Sequence, residues 1–153
     1  MRPRLIEDAC PKGVEERLAS GSFDNSVRLW DCDSGEQEVL LNGHTDAVRS
    51  VAFLPRVKED GPLILASASD DGTIRLWDCD TAECLGILLA RGDAWAALRP
   101  DGRYREVGDM REALWHCAGL VRYELGELDG VMPGLRLGEH EPLIPPARLG
   151  LVG

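Results

Sequence analysis

The chain has 153 residues, 44% of them hydrophobic, which suits one soluble globular domain and argues against wholesale disorder. Its net charge of −10 at pH 7 argues against nucleic-acid binding, because phosphate contacts need a basic stripe, and disfavours an anionic membrane surface. The longest apolar run, Cys84 to Ala90, is far too short to cross a bilayer.

Residues 1–17 read as an irregular leader. Arg2 and Arg4 begin like a signal peptide, but Glu7 and Asp8 interrupt before any apolar stretch develops. Five cysteines, an odd number, point to reduced thiols and a cytoplasmic location.

A repeat begins at Leu18. The segment Leu18-Ala-Ser-Gly-Ser-Phe-Asp-Asn-Ser-Val-Arg-Leu-Trp-Asp31 returns 47 residues later as Leu65-Ala-Ser-Ala-Ser-Asp-Asp-Gly-Thr-Ile-Arg-Leu-Trp-Asp78. Nine of the fourteen positions are identical, which chance does not produce. Each copy predicts two strands around a tight turn. Leu-Ala-Ser-x-Ser alternates apolar and small polar residues, and Val27–Trp30 and Ile74–Trp77 are β-branched and aromatic. Asp24-Asn25 and Asp71-Gly72 lie between them and tolerate positive φ. Ala47–Leu54 predicts a strand ahead of the second copy, and Cys84–Leu89 one after it.

Gly43-His44 heads this four-stranded unit and Trp77-Asp78 lies near its end. On these residues the chain resembles the WD-repeat family, whose four-stranded antiparallel blades assemble into β-propellers. The resemblance implies an all-β fold and, within each blade, a structural hydrogen-bond network. Its members here are His44, Ser67 (with Ser69 as the alternative), Asp71 and Trp77. The first copy supplies Ser20, Asp24 and Trp30, without a preceding Gly-His pair. Residues 18–89 thus read as two repeats, the first lacking its opening strand.

Residues 90–137 read as a degenerate third blade or closing segment. Ala94–Leu98 looks like an opening strand, Arg103–Val107 the next and Ala113–His116 a third, with Ala90-Arg91 where Gly-His belongs. Trp115 to Asp129 is similar to the closing segment of some bacterial WD-repeat proteins. Residues 138–153 contain Pro142, Pro145 and Pro146 and read as an extended tail. So few blades do not close a ring, and the resemblance implies a partial propeller: a fragment or subunit of a larger one, completed by self-association or a complementing chain.

No catalytic, cofactor or metal site is expected. His44 and Asp71 lack a serine at a nucleophile elbow. Cys79, Cys84, His116 and Cys117 lack the paired spacing of zinc clips, and no calcium-loop spacing occurs. The first functional reading is a protein-binding, non-catalytic scaffold. The alternatives are a C-terminal sensor or regulatory segment of a larger bacterial signalling protein and, with least support, a hydrolase. Phe23 and Asp70 precede the two turn aspartates. In the family that position lies on the face where partners bind, which marks both as candidate partner contacts.

Overall fold

The computed structural model describes residues 17–110, 113–118 and 121–151. Apart from Arg17, the expected leader therefore lies outside the described residues. The described part is built from antiparallel strands and two short 3-10 turns. No helix among these residues is long and apolar enough to cross a membrane.

The first repeat copy forms β1 (Arg17–Gly21) and β2 (Val27–Asp31), and β3 (Gln37–Leu41) completes a three-stranded sheet in the order β1-β2-β3. The second copy contributes β5 (Ile64–Ser69) and β6 (Thr73–Asp78), flanked by β4 (Val48–Phe53) and β7 (Cys84–Arg91). The turns of both copies place a residue at positive φ, Asn25 at 70° and Gly72 at 80°. Asn and Gly are the residue types that accept this conformation cheaply. The corner after the Trp-Asp pair is left-handed in both copies too, with Gly35 at 72° and Ala82 at 60°.

Period-two alternation decides which faces meet. Ala19, Leu29 and Val39 lie across from one another on one face of the first sheet, while Leu18 pairs with Trp30 on the other. The first face packs on the Leu65–Trp77 face of the second sheet. Val27, Leu29, Leu41, Val48, Leu63, Leu65, Trp77 and Cys79 form one buried cluster there. Gly21 permits the approach, since a Cβ at that position would stand 2.6 Å from Val48 Cγ1. The two copies are consequently not equivalent in burial. Trp77 is covered by the first sheet, whereas Leu18, beside Trp30, remains exposed.

The expected third blade takes a different form. β8 (Ala94–Leu98) and β9 (Tyr104–Val107) are strands, but they extend the second sheet to six strands in the order β4-β5-β6-β7-β8-β9. Connection length explains the difference. Between β3 and β4 the chain has residues 42–47, including Gly43-His44, in which to leave one sheet and enter the next. Between β7 and β8 it has only Gly92 and Asp93, with Gly92 at a φ of 60° in a tight hairpin turn. A hairpin that short must pair β8 with β7. β10 (Trp115–Ala118) and β11 (Val121–Glu124) form a separate two-stranded hairpin, with β10 two residues beyond the expected Ala113–His116 strand.

The tail has more order than its composition suggests. It crosses one face of the six-stranded sheet, where Leu143 rests on Gly86 of the inner strand β7. Lys58 Nζ donates to the Gly150 carbonyl at 2.7 Å, and Arg148 pairs with Glu83 at 2.8 Å.

Candidate interaction site at the repeat turns

In the second copy, β5 carries Ser67, the turn carries Asp71, β6 carries Trp77, and the connection into β4 carries His44. The fold brings all four side chains together. His44 approaches Ser67 Oγ through Nε2 at 2.7 Å and Asp71 Oδ2 through Nδ1 at 2.8 Å. The Trp77 indole N–H donates to Ser67 Oγ at 2.8 Å. Ser67 accepts from the indole and so has its own O–H to give to Nε2, which leaves Nδ1–H to donate to Asp71. Ser69 touches only the backbone of this group: it donates to the Asp46 carbonyl at 2.9 Å and accepts from the Asp71 N–H at 3.1 Å.

Asp71 also accepts from Thr73 Oγ1 at 2.6 Å and from the backbone N–H groups of Thr73 and Thr45 at 2.9 and 3.1 Å. Burial pushes its pKa up, but the bonds from Thr73, His44 and Thr45 outweigh this and hold the carboxyl well below its usual range. Ser67, His44 and Asp71 thus have the spacing of a hydrolytic triad. Ser67, however, is 1% exposed in the middle of a strand under the first sheet, and its oxygen already accepts the indole N–H.

In the first copy, the Trp30 indole donates to Ser20 Oγ at 2.9 Å. No histidine is present, and Arg28 takes its place on Asp24, donating Nη2 to Oδ2 at 2.7 Å. The equivalent Arg75 instead lies over the Trp77 ring, 6.0 Å from its centroid.

Phe23 and Asp70 form a second, outward-facing group. Phe23 is 79% exposed at the tip of the first hairpin, and the Arg49 guanidinium lies 4.7 Å from its ring centroid. Arg49 Nε and Nη2 both donate to Asp70 Oδ2, at 2.7 and 2.5 Å. The Arg49 bond holds the Asp70 carboxyl below its ordinary range. Arg49 was not singled out from the sequence. The available signal was a cation in the strand that lines up beside both turns. The loops beneath are tied by backbone bonds from Val48 N–H to the Ser22 carbonyl and from Asp70 N–H to the Ala47 carbonyl. The result is an exposed aromatic ring, a planar cation and a carboxylate in one row on a braced surface.

Among the described residues no group of three or more His, Cys, Asp or Glu is arranged to hold a metal ion. Cys79 and Cys84 are free thiols, and burial pushes the Cys79 thiol up to about 12. The side chains of His116 and Cys117 lie outside the described residues.

The family model "WD domain, G-beta repeat" matches residues 10–31 and 35–78. These two segments are WD repeats. Similar curated proteins include Ribosome assembly protein 4 of Chaetomium thermophilum, 51% identical over 39 residues, which is 26% of this chain and 8% of that protein. WD40 repeat-containing protein HOS15 of Arabidopsis thaliana is 50% identical over 38 residues, 25% of this chain and 6% of its own length. Nuclear distribution protein PAC1 of Mycosarcoma maydis is 38% identical over 56 residues, 37% of this chain and 12% of that protein. The chain thus spans a small part of the curated relatives it matches. Among solved structures, that of U3-55K aligns with a TM-score of 0.45 and 22% identity, over 60% of this chain and 30% of the other.

Proposed function

We propose that the chain is a non-catalytic WD-repeat scaffold in the cytoplasm that binds a protein partner through the Phe23–Arg49–Asp70 row. The observation that carries this reading is Phe23: an aromatic ring 79% exposed, stacked under a guanidinium rather than folded into its own sheet. Aromatic and arginine side chains are the groups that most often dominate interface energies. The cation–π contact and the Arg49–Asp70 pair hold the ring and the cation in place before a partner arrives, which lowers the ordering cost of association. Ser67–His44–Asp71 serves the fold, since its hydroxyl is both covered and occupied.

A photo-crosslinking residue placed at Phe23, with one at Phe53 as control, tests the reading in the source cell. A discrete protein adduct at position 23 that disappears on adding Arg49→Ala is the expected result. Equal crosslinking from both positions contradicts it. An active-site probe for serine hydrolases is expected to leave Ser67 unlabelled, and labelling there would revive the hydrolase reading.

A further inference from the structure

One face of the six-stranded sheet grips the tail in the way a binding site grips a peptide. Arg99, at the end of β8, donates Nη1 to Glu141 Oε1 at 2.9 Å, Nε to the Leu143 carbonyl at 2.9 Å, and Nη2 to the Pro142 carbonyl. Arg103 meets the same carboxylate with both terminal nitrogens, Nη1 to Oε1 at 2.5 Å and Nη2 to Oε2 at 2.6 Å. Arg105, in β9, donates Nη2 to the Glu141 carbonyl at 2.7 Å and also to the Gly138 carbonyl. Three guanidinium groups thus surround one glutamate and the carbonyls beside it. Bidentate arginine–carboxylate geometry is both strong and directional.

The apolar half of the contact is equally specific. Leu143 fills the space over Gly86, where even a Cβ would come within 3.0 Å of it. Pro142 presents a carbonyl and has no N–H to leave unsatisfied. The Arg99 side chain is only 7% exposed beneath the segment. Beyond Gly86 the same sheet face continues into an open groove of about 450 Å³, lined by Ile74, Leu88 and Trp95, which the tail does not fill.

We propose that Arg99, Arg103, Arg105 and Gly86 form a binding site for a Glu-Pro-Leu segment entered through a turn, which here runs from Gly138 to Glu141. Residues 138–143 occupy it in cis, and a partner protein's segment of the same pattern takes their place when the tail lifts. The sheet recognises backbone carbonyls, one carboxylate and one leucine, all of which a separate chain can supply. The empty groove offers a longer partner apolar contact that the tail does not make.

The test uses the full chain and a fluorescent peptide with the sequence of residues 138–146, followed by anisotropy. Glu141→Ala removes the anchor of the resident tail, and Leu143→Ala loosens it without touching charge. Each variant is expected to bind the peptide saturably and at least tenfold more tightly than the parent, whose own tail competes at high local concentration. Adding Arg103→Ala is expected to weaken that binding at least tenfold, as is replacing the peptide's matching Glu with Gln. No saturation with either variant, or binding indifferent to Arg103, overturns the proposal. Loss of the strand circular dichroism signal in both variants also overturns it, by making the contact a structural lock. Dimers of the parent in which residue 141 of one copy crosslinks to residue 103 of the other would assign the site to a second copy and overturn the partner reading.

Discussion

Replacing Asp71 with alanine removes one carboxylate and strands four donors: the His44 ring, the Thr73 hydroxyl, and two backbone N–H groups. These losses are unequal. Thr45 N–H lies near solvent and is rehydrated, while the His44 side chain is 1% exposed and keeps only the Thr73 hydroxyl, 3.3 Å from Nδ1, as a substitute acceptor. A buried donor left unpaired costs ~1–3 kcal/mol. A loss of ~2 kcal/mol, with a urea slope of ~2 kcal/mol/M, moves the denaturation midpoint down by about 1 M. The matching change in the first copy, Asp24→Ala, is expected to shift the midpoint much less, because Asp24 faces solvent and no histidine depends on it. Asp71 also titrates with a known sign. Its folded pKa lies below the unfolded value of about 3.9, so its contribution is fully present above that pH. As pH falls through the folded value the contribution disappears, and the gap between parent and Asp71→Asn is expected to close there. An unchanged midpoint for Asp71→Ala at pH 7 would refute the reasoning and leave Asp71 as an ordinary turn residue.

Ser67→Ala is expected to cost ~1–3 kcal/mol and Ser20→Ala less, as only the Ser67–Trp77 bond is covered by a second sheet; equal melting shifts would contradict this. Ala82→Gly should raise stability by up to ~1 kcal/mol, because alanine at a φ of 60° is strained where the first copy has Gly35. A drop in melting temperature would contradict that account. With a thiol reagent at pH 8, Cys84 should react in the folded chain and Cys79 only after unfolding, which mass spectrometry reads directly. The exposed apolar residues Leu18, Leu40, Ile74, Trp95 and Val107 should drive self-association in light scattering, and a sharply melting monomer would show the sheet faces to be sufficiently covered.

Most of the strand plan was legible because it is local. Alternation, β-branched residues and the Asp-Asn and Asp-Gly turns mark the strands of both copies to within a residue or two. The grouping of strands into sheets was not, since it depends on connection length. Ala94–Leu98 has the sequence of an opening strand, and only the two-residue turn at Gly92-Asp93 commits it to pairing with β7. The network residues came from the family resemblance, and the internal repeat only carried three of them over to Ser20, Asp24 and Trp30. Their unequal burial was not legible, because it comes from which neighbouring sheet covers which face. Arg49 and the Arg99–Glu141 contacts join residues far apart in sequence, and no period or motif announces such pairs.

That the Phe23–Arg49–Asp70 row binds a protein partner without holding the fold together has one most direct measurement. It is the affinity of the partner trapped at position 23 for Phe23→Ala, taken together with that variant's melting temperature. Loss of a buried aromatic anchor of ~2 kcal/mol or more corresponds to about 30-fold weaker binding. The account predicts that loss with the melting temperature almost unmoved, since the ring is 79% exposed in the free chain. Unaltered affinity, or a melting temperature lowered by several degrees, would contradict it.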